Sequence, residues 1–150
     1  MDELRVSYEP DDQWTGKITI RVVAGQYSGE GSAWINPSQI TDFASTLERF
    51  PMPNDSPAKI EGGLGGSVDG RLLPQTLIRV TVKPQGVRGH LVVCAELQTE
   101  VWKDDDNDLH QSVVARFRTE YGLVERFAQS LKYLAAGRAL EAILGGAGGI

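Results

Sequence analysis

Aspartates at alternate positions are the first residues of this chain that could do chemistry. Asp104, Asp106 and Asp108 have the spacing of the first three ligands of a calcium loop, in which oxygen atoms converge on one hard cation. The rest of that motif is missing, because its sixth position is Leu109 instead of glycine and its twelfth is Ala115 instead of glutamate. We therefore interpret the segment as a solvated hairpin tip and expect no metal site.

The sequence also gives little indication of a nucleophilic site or a phosphate-binding loop. Cys94 and His90 share one face of a predicted strand, but the strand rise separates them by about 13 Å, which is too far for proton transfer. His110 lies at the other end of the predicted hairpin, which argues against a metal-binding pair. The glycine-rich stretch 62–67 lacks the Gly-Lys-Ser/Thr ending of a nucleotide loop. We expect no catalytic residue and no cofactor. A hydrolase built on two surface carboxylates is the enzymatic alternative.

The negative charge of the chain is concentrated in one segment. Twenty acids and 15 bases give a net charge of −5, which weighs against unspecific binding to a phosphate backbone. The window from Glu96 to Asp108 has six acids and one base, Lys103, so it carries −5 by itself. We predict that this hairpin contacts a partner, and the candidate residues are Glu96, Glu100, Trp102, Asp104, Asp105, Asp106 and Asp108.

Two tryptophans extend this candidate surface. Trp34 and Trp102 both fall on the face opposite the apolar stripe of their predicted strands, and exposed tryptophan is often an interface anchor. The alternative is that a helix or the connection 51–75 covers that face. Three outward arginines could weaken the negative field through cross-strand ion pairs: Arg79, Arg116 and Arg118.

Strands that position these residues follow from hydrophobic alternation of period two. They are predicted at 17–23, 26–35, 77–83, 90–102 and 111–118, with at most a short additional strand at 59–62. The last two form a long antiparallel hairpin around the acidic loop 103–108. The rest of 51–75 is rich in Pro, Gly, Asn, Asp and Ser and is predicted to be a connection.

Two helices complete the predicted elements. The first has a strong start signal, with Asn36 as N-cap, Pro37 at the first helical position and Gln39 where a capping box needs it, and it ends at Phe50.

The second helix is predicted to begin near Glu120 with Thr119 as its cap. We expect Gly137 to break it before a shorter helical continuation through Leu144.

Together these elements predict a single α+β domain over 1–150, with an antiparallel sheet of about five to six strands and two main helices packed on one side. Residues 1–14 and 145–150 are expected to be loosely ordered. No apolar run approaches the length of a membrane span, the acidic N-terminus is unlike a secretory signal, and the single cysteine fits a reducing compartment. We expect a cytoplasmic protein.

Three stretches of the chain carry a family resemblance. They are 77–97 with the turn 84–90, the strand-to-helix unit 34–50, and 120–127 with Leu131. In hydrophobic pattern and turn residues the chain resembles the WapI-type family of small bacterial immunity proteins over most of 15–135. The resemblance implies a protein that binds and blocks the C-terminal domain of a secreted toxin, and it carries over no diagnostic functional residues.

Our leading hypothesis is thus a non-catalytic immunity protein that occludes a cognate bacterial toxin domain, with a basic nuclease as a fitting partner. No direct contact with nucleic acid or membrane is expected. The alternative is a small-ligand-binding or adaptor module that encloses an apolar pocket, with the connection 51–75 as its lid.

Overall fold

The computed structural model describes residues 1–64, 75–101 and 108–147. Eight strands and two helices occur in this part of the chain. In chain order they are β1 (Glu3–Pro10), β2 (Gly16–Ala24), β3 (Tyr27–Ile35), α1 (Pro37–Leu47), β4 (Ala58–Leu64), β5 (Gln75–Gln85), β6 (His90–Gln98), β7 (Ser112–Glu120), α2 (Tyr121–Ala135) and β8 (Ala142–Gly145).

The strands form one antiparallel sheet in the order β7-β6-β5-β4-β3-β2-β1-β8. The sheet is therefore a meander from β1 to β7, and β8 returns to pair with β1. This confirms an α+β fold with two helices and a single antiparallel sheet. The predicted strand number of five to six is wrong, because β1 and β8 add two strands and β4 is a full sheet member.

The two additional strands pair with each other at one side of the sheet. β1 lies in the segment expected to be loosely ordered, yet it pairs with β2 along its whole length, from Glu3 with Val23 to Pro10 with Gly16. β8 replaces the helical continuation predicted through Leu144, and it pairs with β1 over four residues. Gly137 has φ +76°, so it turns the chain after α2 and lets the following residues return as a strand.

Alternating burial separates an inner face of the sheet from an outer one. In β2, for example, Ile18, Ile20 and Val22 are buried whereas Lys17 and Arg21 are exposed. The inner-face residues form one core cluster with the apolar stripes of both helices. The helices thus pack on the inner side of the sheet, and neither of them covers its outer face.

The start of α1 agrees with the sequence signals. The Asn36 side chain accepts a hydrogen bond from Ser38 N, and Gln39 Oε1 accepts one from Asn36 N, which completes the capping box before Pro37. The predicted cap of α2 is wrong. Glu120 occupies the N-cap position and makes no side-chain cap bond. The Thr119 hydroxyl donates to the backbone oxygen of Gly145 instead of capping the helix.

Glycines allow two parts of the sheet to pack directly against each other. A Cβ on Gly29 would lie 2.3 Å from Val113 Cγ1, and one on Gly31 would lie 3.2 Å from Leu97 Cβ. The inner face of β3 therefore touches the inner faces of β6 and β7, at a distance that larger side chains do not permit. Because the sheet curls this strongly, the outer faces of β3 and β6 point away from each other.

Hydrogen bonds also join the two edges of the sheet at one end. The buried Thr119 Oγ1 in β7 donates to the backbone oxygen of Gly145 in β8 at 3.0 Å. Ala147 N donates to Arg118 O at 2.8 Å, and Gly146 N donates to Asp2 O at 2.9 Å. The residues after β8 thus bridge β7 to the start of β1.

Candidate functional site

The acidic segment, residues 96–108, is anchored to the sheet by two sets of hydrogen bonds. On one side, Gln75 Nε2 donates to Val101 O at 2.6 Å and Val101 N donates to Gln75 Oε1 at 2.8 Å. On the other side, Thr99 N donates to Gln111 O at 2.9 Å and Gln111 N donates to Thr99 Oγ1 at 2.9 Å. The Thr99–Gln111 bonds extend the pairing of β6 and β7 beyond the regular ladder, and the Gln75–Val101 bonds tie the chain to the start of β5, so the base of the segment is fixed to the sheet.

The structure describes only part of the predicted contact surface. Glu100 and Asp108 are exposed on either side of the segment 102–107. Leu109, next to Asp108, is 77% exposed. The other predicted residues of the segment lie outside the described residues: Trp102, Asp104, Asp105 and Asp106.

Glu96 takes part in an ion-pair network on the outer face. Arg79 Nη1 donates to Glu96 Oε2 at 3.2 Å, and Arg79 Nε donates to Glu61 Oε2 at 3.0 Å. The hydrogen bond from Arg79 lowers the pKa of Glu61, with a smaller contribution from the charge of Lys59. Arg79 thus neutralises part of the charge on Glu96. This agrees with the cross-strand ion pairing that the sequence predicted for Arg79.

Trp34 keeps 53% of its surface exposed on the outer face of β3. The described residues therefore do not cover it. The structure does not bring Trp34 together with Glu96, because the outer faces of their strands point in different directions. The sequence pattern of a single strand does not predict this separation, since it results from the curl of the whole sheet.

Trp14 is a second exposed tryptophan, which the sequence analysis missed. It is 65% exposed in the turn between β1 and β2. Asp12 Oδ1 accepts hydrogen bonds from Trp14 N at 2.7 Å and from Thr15 N at 2.8 Å, and these bonds lower the pKa of Asp12. The signal for this turn was the run Pro10-Asp11-Asp12 ahead of a regular alternation, which is typical of a hairpin tip.

The histidines and the cysteine do not form a nucleophilic site. His90 and His110 line separate clefts, at the start of β6 and before β7 respectively. Burial raises the pKa of the Cys94 thiol, although Arg116 opposes this effect. The thiolate is therefore scarce at neutral pH. Within the described ranges, no three His, Cys, Asp or Glu residues are grouped as metal ligands would be.

Among the described residues, buried side chains of both helices and the sheet form one core cluster. A small space among core side chains has no room for a water molecule, and Phe43 of α1 and Leu131 of α2 contribute to its walls. A groove of about 270 Å³ does exist on the surface, beside Phe50, His90 and Tyr121. There the Phe50 and Tyr121 rings pack edge to face with centroids 4.8 Å apart.

None of the described helices combines the length and the apolar character that crossing a membrane requires. No protein-family model, no curated protein sequence and no solved structure matches this chain. The resemblance to WapI-type immunity proteins thus stays a prediction from the residues that carry it.

Proposed function

We propose that this protein is a non-catalytic immunity protein that binds a cognate bacterial toxin domain and blocks it. The observation that carries the proposal is the anchored base of the acidic segment. Both backbone groups of Val101 are bound by the Gln75 side chain, and Thr99 and Gln111 close the other side. A binding segment whose ends are already fixed loses less conformational entropy on association.

The charge of the segment supports a basic partner. The window 96–108 carries −5, which equals the net charge of the whole chain. A basic nuclease uses its positive cleft to bind phosphates, so an acidic protein segment placed over that cleft matches its charge and accelerates association. Because Arg79 neutralises part of the charge on Glu96, we assign the contact mainly to residues 100–108.

Exposed tryptophans are the second contribution to binding in this proposal. Trp34 is more than half exposed, and tryptophan is enriched among the residues that dominate interface energies. The curl of the sheet separates Trp34 from the acidic segment. A partner that contacts both must therefore bind to two sides of the protein. We propose that the acidic segment makes the essential contact and that Trp34 adds affinity.

Residue chemistry favours binding over catalysis in this proposal. The thiol of Cys94 has a raised pKa and is a weak nucleophile at neutral pH. We place the activity in the cytoplasm of the producing cell, where a free cysteine is stable. The alternative of an enclosed small-ligand pocket has less support, because the space between Phe43 of α1, Leu131 of α2 and the described sheet residues has no room for a water molecule.

The test is a toxin neutralisation assay with the product of the adjacent gene, combined with a pull-down of the purified pair. Asp104→Lys, Asp105→Lys and Asp106→Lys together should abolish protection and weaken binding by about a hundredfold or more. The matched control reverses three acids that are exposed elsewhere: Asp42→Lys, Asp55→Lys and Glu125→Lys.

The control changes the net charge equally, so it should preserve protection if the position of the acids matters. Full protection by the Asp104/Asp105/Asp106 variant would refute the hairpin assignment. Absence of any complex with the neighbouring product would refute the immunity function itself.

A further inference from the structure

The outer face of the sheet carries a group of cations in its β5–β7 region. Lys83 pairs with Val92, and Val92 pairs with Arg118, so the two cations flank one valine across three strands. Arg116 lies two residues before Arg118 on the same face and pairs with Cys94. Lys83, Arg116 and Arg118 are exposed, and together we call them the cationic face.

Among the described residues, no acid lies in the strand rows that hold the cationic face, and the nearest one along β7 is Glu120, at the next outward position after Arg118. In the neighbouring row across the strands, acids and Arg79 alternate, and Arg79 forms ion pairs with both Glu61 and Glu96. In the rows through Arg116 and Arg118, by contrast, the described residues include no acid. None of the three cations forms an ion pair with a described residue, although the chain has five more acids than bases.

Hydrogen bonding and strand geometry set the spacing of the charges on the cationic face. Arg118 Nε donates to Gln85 Oε1 at 2.9 Å, which orients the guanidinium across the strands. The Cα atoms of Arg116 and Arg118 are about 7 Å apart along β7, and Lys83 lies about 10 Å from Arg118 across β6. The half-buried Val92 lies between Lys83 and Arg118, and Val114, which is 46% exposed, lies beside Arg116 at the preceding outward position of β7.

We propose that the cationic face binds an extended acidic segment of a protein partner. Alternate side chains of an extended peptide are also about 7 Å apart, so carboxylates at every second position match the spacing of Arg116 and Arg118. Each guanidinium offers a planar pair of donors that fits a carboxylate. Val92 between Lys83 and Arg118, and Val114 beside Arg116, accept the aliphatic parts of the same peptide.

Nucleic acid fits this face less well than a protein does. Proteins that bind single strands stack bases on aromatic side chains. The outer-face residues that pair with or directly flank the three cations are instead Thr81, Val92, Cys94 and Val114, and the His90 ring lies one outward position beyond Val92. The cationic face is separate from the acidic segment, so this proposal holds whether or not the partner of that segment is a toxin.

The experiment is an NMR titration of the ¹⁵N-labelled protein with a synthetic peptide that alternates Thr and Glu. Amide shift changes should concentrate at Val92, Cys94, Arg116 and Arg118, and they should weaken as salt is added. A peptide that alternates Thr and Gln should leave the spectrum unchanged. Arg116→Glu with Arg118→Glu should weaken binding by about tenfold or more.

The matched control for charge is Arg126→Glu with Arg138→Glu, two exposed arginines on or after α2, and it should keep the affinity within about twofold. Shift changes on another surface, or none at all, would overturn the proposal. An oligodeoxythymidine of equal charge that binds the same face more tightly would identify a nucleic-acid site instead. Self-association that Arg116→Glu with Arg118→Glu abolishes would identify a second copy of this chain as the occupant.

Discussion

The side chain of Gln75 pairs with the backbone of Val101 through both of its polar atoms, at 2.6 and 2.8 Å. The Gln75 amide thereby satisfies the N–H and the C=O of Val101, as the backbone of a paired strand would. Gln75→Ala leaves the N–H and C=O of Val101 without this partner, so we expect a loss of about 1 kcal/mol in the free energy of unfolding. Urea denaturation and amide exchange at Val101 measure the effect.

The control for Gln75→Ala is Gln129→Ala, at an exposed position of α2, which should change stability little. If the immunity proposal is right, Gln75→Ala also weakens toxin binding, because the base of the acidic segment is released. Unchanged exchange at Val101 would show that the anchor is not needed.

The contact between Gly29 and Val113 predicts a steric effect. Gly29→Ala puts a Cβ 2.3 Å from Val113 Cγ1, so the Val113 side chain must rotate or one of the two strands must move. We expect a destabilisation of about 1–3 kcal/mol by thermal or urea unfolding. Combination with Val113→Ala should recover part of the loss, since it removes the clashing methyl group.

Gly122→Ala is the contrasting substitution. An added Cβ at Gly122 meets no atom within 4 Å, and the residue is helical. Alanine there should stabilise the protein by about 0.5–1 kcal/mol. Equal effects of the two glycine substitutions would contradict the close packing of β3 against β7.

The buried Thr119 hydroxyl predicts how strongly the two sheet edges are joined. Thr119→Val keeps the shape of the side chain but leaves the Gly145 oxygen without its donor, at a cost of about 1–3 kcal/mol. Amide exchange at Gly146 and Ala147 should become faster. Thr119→Ser keeps the hydroxyl, so it should retain slow exchange at both amides even though it loses a methyl contact.

The ion pairs of Arg79 predict a dependence of stability on pH. Glu61 has a folded-state pKa below its ordinary value of 4.5, mainly because Arg79 donates to it. The stabilisation is therefore complete above pH 4.5 and is lost as the pH falls through the lower folded-state value. Glu61→Gln should cost about 0.2–1 kcal/mol at neutral pH, because the pair is partly exposed.

Unfolding midpoints of Glu61→Gln and the unsubstituted protein at several pH values test this. The two should converge towards acid pH. A difference that persists unchanged below pH 4 would assign the effect to packing rather than to charge.

Elements with local signals could be predicted from the sequence. Asn36, Pro37 and Gln39 encode the start of α1 within four residues, and the alternation of β2 is visible without knowledge of its neighbours. β8 was missed because it has only four residues and is specified by pairing with β1, about 140 residues earlier in the chain. Such a short apolar run is equally compatible with a helix.

The candidate site shows the same division. The charge of the acidic segment and the outward position of Trp34 follow from sequence alone. The separation of Trp34 from Glu96 does not, because it depends on Gly29 and Gly31 allowing β3 to fold against β6 and β7. The cationic face was also missed: Arg116 and Arg118 were interpreted as partners of the acids, whereas the strand register assigns that role to Arg79.

The hydrogen bond from Gly146 N to Asp2 O holds two residues that are far apart in sequence next to each other. Asp2 also accepts a hydrogen bond from Gly25 N through its carboxylate, so its position is fixed from two directions. A covalent link of a few residues could therefore connect the two ends without moving a strand. A circularly permuted chain, opened at the exposed turn by Val87, should fold to the same sheet. Chain segments that precede Asp2 and follow Gly146 would therefore start beside each other.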